Sequence, residues 1–152
     1  LAVVGNLEFD GHRMRLNGFC ERMYELGFQK SQIEIIETYN DYQTTYRKVS
    51  EALKQITELC AIYMANQSVA GCTEAVNAAG KKGALRIICH NLSESTKRLL
   101  QNGSIDFTIS QDIFSQGYLP LIYLRELLQK GKIPKFDQTD TNISIICSQN
   151  IV

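Results

Sequence analysis

The chain has 152 residues, of which 44% are apolar and 21% charged, and its 16 basic side chains balance its 16 acidic ones. Such a chain is long enough to bury a core without a metal or a disulfide, and its composition excludes an intrinsically disordered protein. No apolar run approaches the roughly 20 residues of a membrane-spanning helix, and the zero net charge excludes a non-specific binder of the nucleic-acid backbone.

Short apolar runs predict six β-strands. Several of these runs are too continuous to leave one face in water, which is typical of buried parallel strands. The predicted strands cover residues 1–5, 33–36, 59–64, 85–89, 105–109 and 143–147.

Segments of helical period separate the strands and predict five helices. The first covers 12–26, and the fifth runs over 119–130 with Pro120 in its first turn or at a kink. The predicted caps are Asn40 or Asp41 for the second helix, Ser68 for the third and Ser93 for the fourth, and the predicted ends are Gly27, Gly80 and 102–103.

This alternation predicts the fold class. Strands separated by helices of about 10 to 15 residues indicate βαβ units, and so a doubly wound α/β domain with a parallel sheet and helices on both faces. No linker or low-complexity tract interrupts the pattern, and we expect one domain over 1–152. The hydrophobic start at Leu1, without a methionine, indicates a fragment of a longer chain.

The five cysteines are widely spaced and contain no Cys-x-x-Cys pair. An odd number without a disulfide framework indicates a reducing compartment, so we expect a cytoplasmic protein. Cys60, Cys89 and Cys147 lie in apolar strand-like runs, where we expect them to pack as small hydrophobic side chains.

The sequence contains no recognisable enzyme motif. It has neither G-x-G-x-x-G nor G-x-S-x-G, and the segment that ends at 80–82 does not match the phosphate-binding loop. His12 and His90 have no cysteine or carboxylate nearby at a strand end, and we expect His90 to pack or to line the rim of a site. We therefore predict a protein that is not an enzyme and that needs no cofactor and no metal.

Polar side chains follow most of the predicted strands, where open parallel sheets bind their ligands. They are mainly neutral amides with one or two arginines, which suit hydroxyl groups as donors and acceptors. A role in capping helices and filling turns is an equally good interpretation of any single position. These residues are Asn6, Arg13, Arg15, Tyr39, Asn40, Asn66, Gln67, His90, Asn91, Gln111 and Asp112.

The order of these strand-end segments resembles the second half of the sugar-binding domain of lac repressor-type transcription regulators. The same fold serves the type I periplasmic binding proteins. The likeness covers essentially the whole chain and is carried by the residues at 4–5, 13–19, 62–66, 87–91 and 108–112 and by Gly117.

The resemblance implies a set of ligand-binding residues. They would line a cleft between two α/β lobes, and Tyr39 would lie near the place where an aromatic ring stacks on the sugar. Gln67 and Asn91 stand where the family usually has Asp. Because an amide accepts one hydroxyl and donates to another, the ligand can be a phosphorylated or altered sugar, a nucleobase, or absent altogether. The implied ligand-binding residues are Arg15, Tyr39, Asn66, Asn91 and Gln111.

We therefore expect the effector-sensing lobe of a bacterial transcription regulator that binds a small sugar-like molecule. The alternative is a lobe of a periplasmic sugar-binding protein for uptake or sensing, and the free cysteines favour the regulator. An enzyme is the third interpretation, and a pure dimerisation module is the fourth.

The resemblance also implies missing parts. A DNA-binding headpiece and the first lobe would precede Leu1, so contact with DNA would occur through the headpiece alone. Helix 117–130 would pack on the first lobe, and without that cover its leucines would be exposed. An exposed apolar stripe seldom persists on a monomer, so we expect a homodimer.

Overall fold

The computed structural model describes residues 1–132 and 143–151, and in them six strands and five helices alternate along the chain. The strands are β1 (Ala2–Val4), β2 (Ile35–Glu37), β3 (Ala61–Met64), β4 (Arg86–His90), β5 (Phe107–Gln111) and β6 (Ile143–Ile146). The helices are α1 (Asp10–Glu25), α2 (Tyr42–Gln55), α3 (Val69–Ala78), α4 (Glu94–Gln101) and α5 (Ile113–Lys130). A 3₁₀ turn, Lys30–Gln32, precedes β2.

The six strands form one sheet in the order β2-β1-β3-β4-β5-β6. The first five are parallel to one another. From β1 the chain first adds β2 on one side and then returns to add β3 on the other, so the strand order reverses at β1. The predicted α/β fold is therefore confirmed, with its switch point beside the central strand.

The sixth strand corrects one part of that prediction, because β6 is antiparallel to β5 and the sheet is mixed. The register places Ile143 opposite Gln111 and Ile146 opposite Thr108, so β6 begins at the edge where β5 ends. A strand that begins there runs back along its neighbour and needs no crossover to the opposite edge. Parallel sheets often carry one antiparallel edge strand of this kind.

Strand β1 is buried on both faces, and its three residues have no exposed surface. Val3 belongs to a core that the sheet forms with α2, α3 and α4. Ala2 and Val4 instead contact Leu16 and its neighbours on α1. Helices therefore cover both faces of the sheet, as predicted.

The predicted caps precede three of the helices, and two of them act as expected. The Asp41 carboxylate accepts a hydrogen bond from the N–H of Thr44 at 2.7 Å, and the Ser93 hydroxyl accepts one from the N–H of Thr96 at 3.2 Å. Ser68 precedes α3 but does not cap it. Its hydroxyl lies 2.5 Å from that of Thr45, and this buried pair joins α3 to α2.

Helix α5 begins at Ile113, well before its predicted start at 119. Asp112 is its cap, since its carboxylate accepts from the N–H of Ser115 at 3.0 Å and from the Ser115 hydroxyl at 2.5 Å. Pro120 consequently lies inside the helix, where it removes one N–H donor. The start of this helix is therefore set by its cap, and the proline is tolerated within it.

No residue of α5 is buried. Leu121, Leu124, Leu127 and Leu128 are 66%, 52%, 42% and 76% exposed, so the sheet of this chain does not cover the apolar face of the helix. The homodimer expected from that face stays a prediction. Across the described residues, α5 included, no helix is both long and apolar enough to cross a membrane.

The cysteines are all free but differ in burial. Cys72 and Cys89 are buried, and burial raises the pKa of their thiols to about 12 and about 11, which keeps them protonated. The prediction that Cys60 packs in the core is wrong. Strand β3 begins one residue later, at Ala61, and Cys60 is exposed before it.

A substitution at Gly71 tests how closely α3 packs on α2. A Cβ atom at Gly71 would lie 2.6 Å from the carbonyl oxygen of Tyr42, so the two helices would have to separate. We expect Gly71→Ala to lower the free energy of unfolding by about 1–3 kcal/mol, measured by urea denaturation. Gly18→Ala is the matched control, because a Cβ on that helical glycine meets nothing within 4 Å. It should raise the free energy by about 0.5–1 kcal/mol, and equal effects of the two changes would contradict the close packing.

Candidate functional site

The residues predicted for ligand binding lie at one edge of the sheet. Tyr39 follows β2, Asn66 follows β3, Asn91 follows β4 and Gln111 ends β5, and these strands are parallel. Arg15 comes from α1, and its guanidinium donates to the carbonyl oxygen of Ala65 at 3.1 Å. The shared edge is where we expected these side chains, and their contact with a ligand stays a prediction.

Asn66 is completely buried in this structure. Its Nδ2 donates to the hydroxyl of Thr38 at 2.8 Å, and that hydroxyl lies 3.4 Å from the carbonyl oxygen of Val4, to which it donates. The Oδ1 atom of Asn66 has no partner among the described residues. In this conformation Asn66 therefore ties together the ends of β3, β2 and β1.

A pair that the sequence did not single out lies beside Arg15. The hydroxyl of Tyr63 is 2.6 Å from Nε2 of His90, and the two rings meet edge to face with centroids 5.5 Å apart. Phe19 of α1 stacks on Tyr63 at 4.7 Å. We call Arg15, Tyr63 and His90 the Arg15 cluster, and its two strand residues face α1.

Burial and charge set the protonation states of the Arg15 cluster. Burial lowers the pKa of His90 to about 4, and the positive charge of Arg15 acts in the same direction. Burial also raises the pKa of Tyr63 to about 12, with a smaller opposing effect of Arg15. Both rings are therefore uncharged at neutral pH, and Arg15 supplies the formal charge of the cluster.

A separate open cavity lies toward the β2 side of the same edge. Its volume is about 480 Å³, and it is lined by Asn6, Leu7, Glu8, Arg13, Glu37 and Tyr39. The Glu37 carboxylate accepts from the N–H of Leu7 at 2.9 Å, and Arg13 forms an ion pair with Asp10. Tyr39 thus lines this cavity, and its lining includes none of Arg15, Asn66, Asn91 and Gln111.

The loops at this edge have unusual backbone geometry. Tyr39, Asn40 and Asn91 have φ angles of 54°, 57° and 69°, in the left-handed region that few residues other than glycine adopt. The Asn40 side chain accepts from the N–H of Gln67 at 3.2 Å, and the Asn91 N–H donates to the carbonyl of Ile109 at 2.9 Å. These bonds hold the loops in strained shapes, which are typical of binding sites.

Gln111 connects the edge to α5. Its Oε1 accepts from Nε2 of Gln116 at 3.2 Å. The next residue, Asp112, caps the helix, and the hydrogen bonds from Ser115 lower the pKa of its carboxyl group. The last strand end of the site is thus also the start of the most exposed helix.

The chemistry of the edge suits a polar organic ligand. In the part of the chain that the structure describes, no group of three His, Cys, Asp or Glu side chains could hold a metal ion. The edge instead offers amides, phenols and guanidinium groups. Sequence reasoning missed Tyr63 because a tyrosine in an apolar strand gives no polar signal, whereas His90 was recognised at the end of β4.

A family model described as a periplasmic binding protein domain matches residues 1–133. The chain belongs to that family. No curated protein sequence matches the chain significantly.

Solved structures of the periplasmic binding protein fold are similar to this chain. The sugar-binding protein of a sugar ABC transporter from Bacillus halodurans shares 24% identity with a TM-score of 0.80, over 98% of this chain and 55% of that one. The arabinose-binding protein AraP from Geobacillus stearothermophilus shares 23% identity with a TM-score of 0.81, over 98% and 54%. A solute-binding protein from Agrobacterium vitis with bound D-fucose shares 22% identity with a TM-score of 0.83, over 98% and 51%. These likenesses establish the fold, and the chain spans about half the length of each of these proteins.

The buried His90 should make stability depend on pH. The unfolded chain binds a proton on His90 near the ordinary value of 6.5, whereas the folded chain does so near 4. The folded state therefore binds fewer protons in this window, and the free energy of unfolding should fall as the pH drops from 6.5 to about 4. Urea denaturation across this range measures the effect.

Two variants test whether His90, and not His12, causes this pH dependence of stability. His90→Phe should lose this part of the pH dependence, and His12→Gln should keep it, because His90 is intact. An unchanged slope in His90→Phe would contradict the assignment of the titration to His90.

Proposed function

We propose that this chain is a sugar-binding lobe of a solute-binding protein that serves sugar uptake or sensing. The observation that carries the proposal is the edge of amides with Arg15 in a chain of the periplasmic binding protein domain family. Amide and guanidinium groups bind the hydroxyl groups of sugars through several directed hydrogen bonds. The solved proteins of the same fold include one with bound D-fucose and one named for arabinose, which supports a sugar as the ligand.

The lobe would act together with further protein. The chain spans about half of its solved relatives, and a single lobe supplies one wall of a cleft. We therefore expect the chain by itself to bind sugars weakly, because part of the contact area is missing. That the protein is not an enzyme is also part of this proposal.

Arg15 is the residue whose removal tests the proposal. In the full-length protein, Arg15→Ala should cost about 1.5 to 3 kcal/mol of ligand binding, the range for a hydrogen bond to a charged group. Isothermal titration calorimetry with pentoses and hexoses measures the loss. Arg22→Ala is the matched control, since Arg22 lies on the same helix in an exposed pair with Glu25. Equal affinities of wild type and Arg15→Ala would remove Arg15 from the site.

A regulatory lobe in the cytoplasm is the second candidate function. The observation that favours it is that all five cysteines are free thiols, with Cys60 exposed, which suits a reducing compartment. In that case the small-molecule effector would be sensed here and DNA would be bound by a headpiece elsewhere in the protein. The residues that precede Leu1 in the gene distinguish the two functions, since a helix-turn-helix indicates the regulator and a signal peptide indicates uptake.

Either function leads us to expect that this chain does not bind duplex DNA. Its formal net charge is zero, so it lacks the phosphate neutralisation that such binding needs. A gel-shift experiment at low salt should leave the DNA free. A stable complex that dissociates as salt is added would instead reveal a basic surface.

A further inference from the structure

The positive charge of Arg15 has no counter-ion in the cluster that it forms with Tyr63 and His90. Ion pairs in the described residues join other partners, and none involves Arg15. The guanidinium is partly buried and uses one N–H for the carbonyl of Ala65. Most of its donors are therefore available to a ligand, in a position where a positive charge is poorly solvated.

His90 adds a second donor to this position. The residue is 7% exposed, and its Nδ1 atom is buried without a partner among the described residues. The Tyr63 hydroxyl lies 2.6 Å from Nε2 of His90, and we assign the hydroxyl as the donor of this hydrogen bond. A neutral imidazole has one acceptor and one donor nitrogen, so with this assignment Nδ1 carries a proton that has no partner among the described residues.

Among the residues that the structure describes, the carboxylates of this edge have other positions or partners. Glu8 and Glu37 line the cavity on the β2 side, and Asp112 is occupied as the cap of α5. At the ends of β3 and β4 the chain has the amides Gln67 and Asn91. This part of the edge thus combines one uncompensated positive charge with an N–H that has no partner. The Arg15 guanidinium is bonded to the carbonyl oxygen of Ala65 just beyond β3, and His90 ends β4, the parallel neighbour of β3. Neighbouring strands lie about 5 Å apart.

We propose that the ligand of this chain is an acidic sugar derivative whose anionic oxygens bind between Arg15 and His90. A carboxylate or a phosphate has several acceptor oxygens and no donor that would clash with the two N–H donors, and its charge balances that of Arg15. His90 is then a residue that determines specificity, and Tyr63 positions it by fixing its tautomer. The inference rests on the proposed function, because it assigns the class of sugar to the same site.

Paired ligands test the inference on the wild-type chain. NMR titration of the ¹⁵N-labelled chain would compare D-galacturonate with D-galactose, and D-glucose 6-phosphate with D-glucose. We expect at least one acid to bind roughly tenfold or more tightly than its neutral parent, as expected for charge-assisted hydrogen bonds. The uronate and the phosphate distinguish the two sources of the anionic group. The ring ¹⁵N signals of His90 should shift on addition of that acid, with Nδ1 still protonated.

Two variants measure separately what the charge of Arg15 and the imidazole N–H of His90 contribute to ligand binding. Arg15→Gln and His90→Phe should each weaken binding of the acid by roughly tenfold more than they weaken binding of its neutral parent. Arg22→Gln on the same helix is the control for charge and should change neither affinity. If His90→Phe fails to fold, the ring signals of wild-type His90 still decide whether Nδ1 contacts the ligand.

The outcomes separate this inference from the function on which it rests. Neutral sugars that bind as tightly as both acids, or more tightly, would overturn the acidic ligand and leave the sugar-binding function standing. Acids that bind without shifting the His90 ring signals would remove His90 from the site and overturn the inference in the form given. Absence of binding by all four compounds would overturn the inference, and the calorimetry with pentoses and hexoses would then decide the proposed function.

Discussion

The complete burial of β1 is the constraint on which the rest of this structure depends. A strand with no exposed residue must be covered on both faces and hydrogen-bonded along both edges. Parallel neighbours require crossover helices, and these supply the cover, with α1 on one face and α2 to α4 on the other. The same geometry brings the ends of five strands to one edge. The position of the site is thus a consequence of how the core is buried.

The sequence predicted the elements of this fold well and their directions less well. Apolar runs and caps such as Asp41 and Ser93 are local signals, and local signals are what a single sequence contains. The direction of β6 depends on where the chain returns after α5, which no local pattern encodes. The predicted start of α5 was wrong because a proline usually lies in the first turn of a helix, and Pro120 here lies inside it. The sequence also allowed Asp112, the true cap, to be interpreted as a residue at the end of a strand.

For the site, the sequence predicted the edge but not its internal arrangement. Tyr39, Asn91 and Gln111 lie at strand ends and Arg15 lies on the helix after β1, which places all four at one edge of the sheet, as the topology requires. Packing between residues distant in the chain buries Asn66 and brings Tyr63 into contact with His90. Such contacts depend on side-chain orientation, and a pattern of residue types does not specify it.

The way in which α5 is attached to the end of β5 has a mechanical consequence. Its first turn is tied to the last strand end through Asp112 and the contact of Gln111 with Gln116, while the rest of the helix is unburied. With 18 residues it is a rod about 27 Å long. A tilt of about 10° at its first turn would carry the Lys130 end sideways by about 5 Å. A small backbone adjustment at the rim would therefore become a shift of about one helical turn at the far end of the helix.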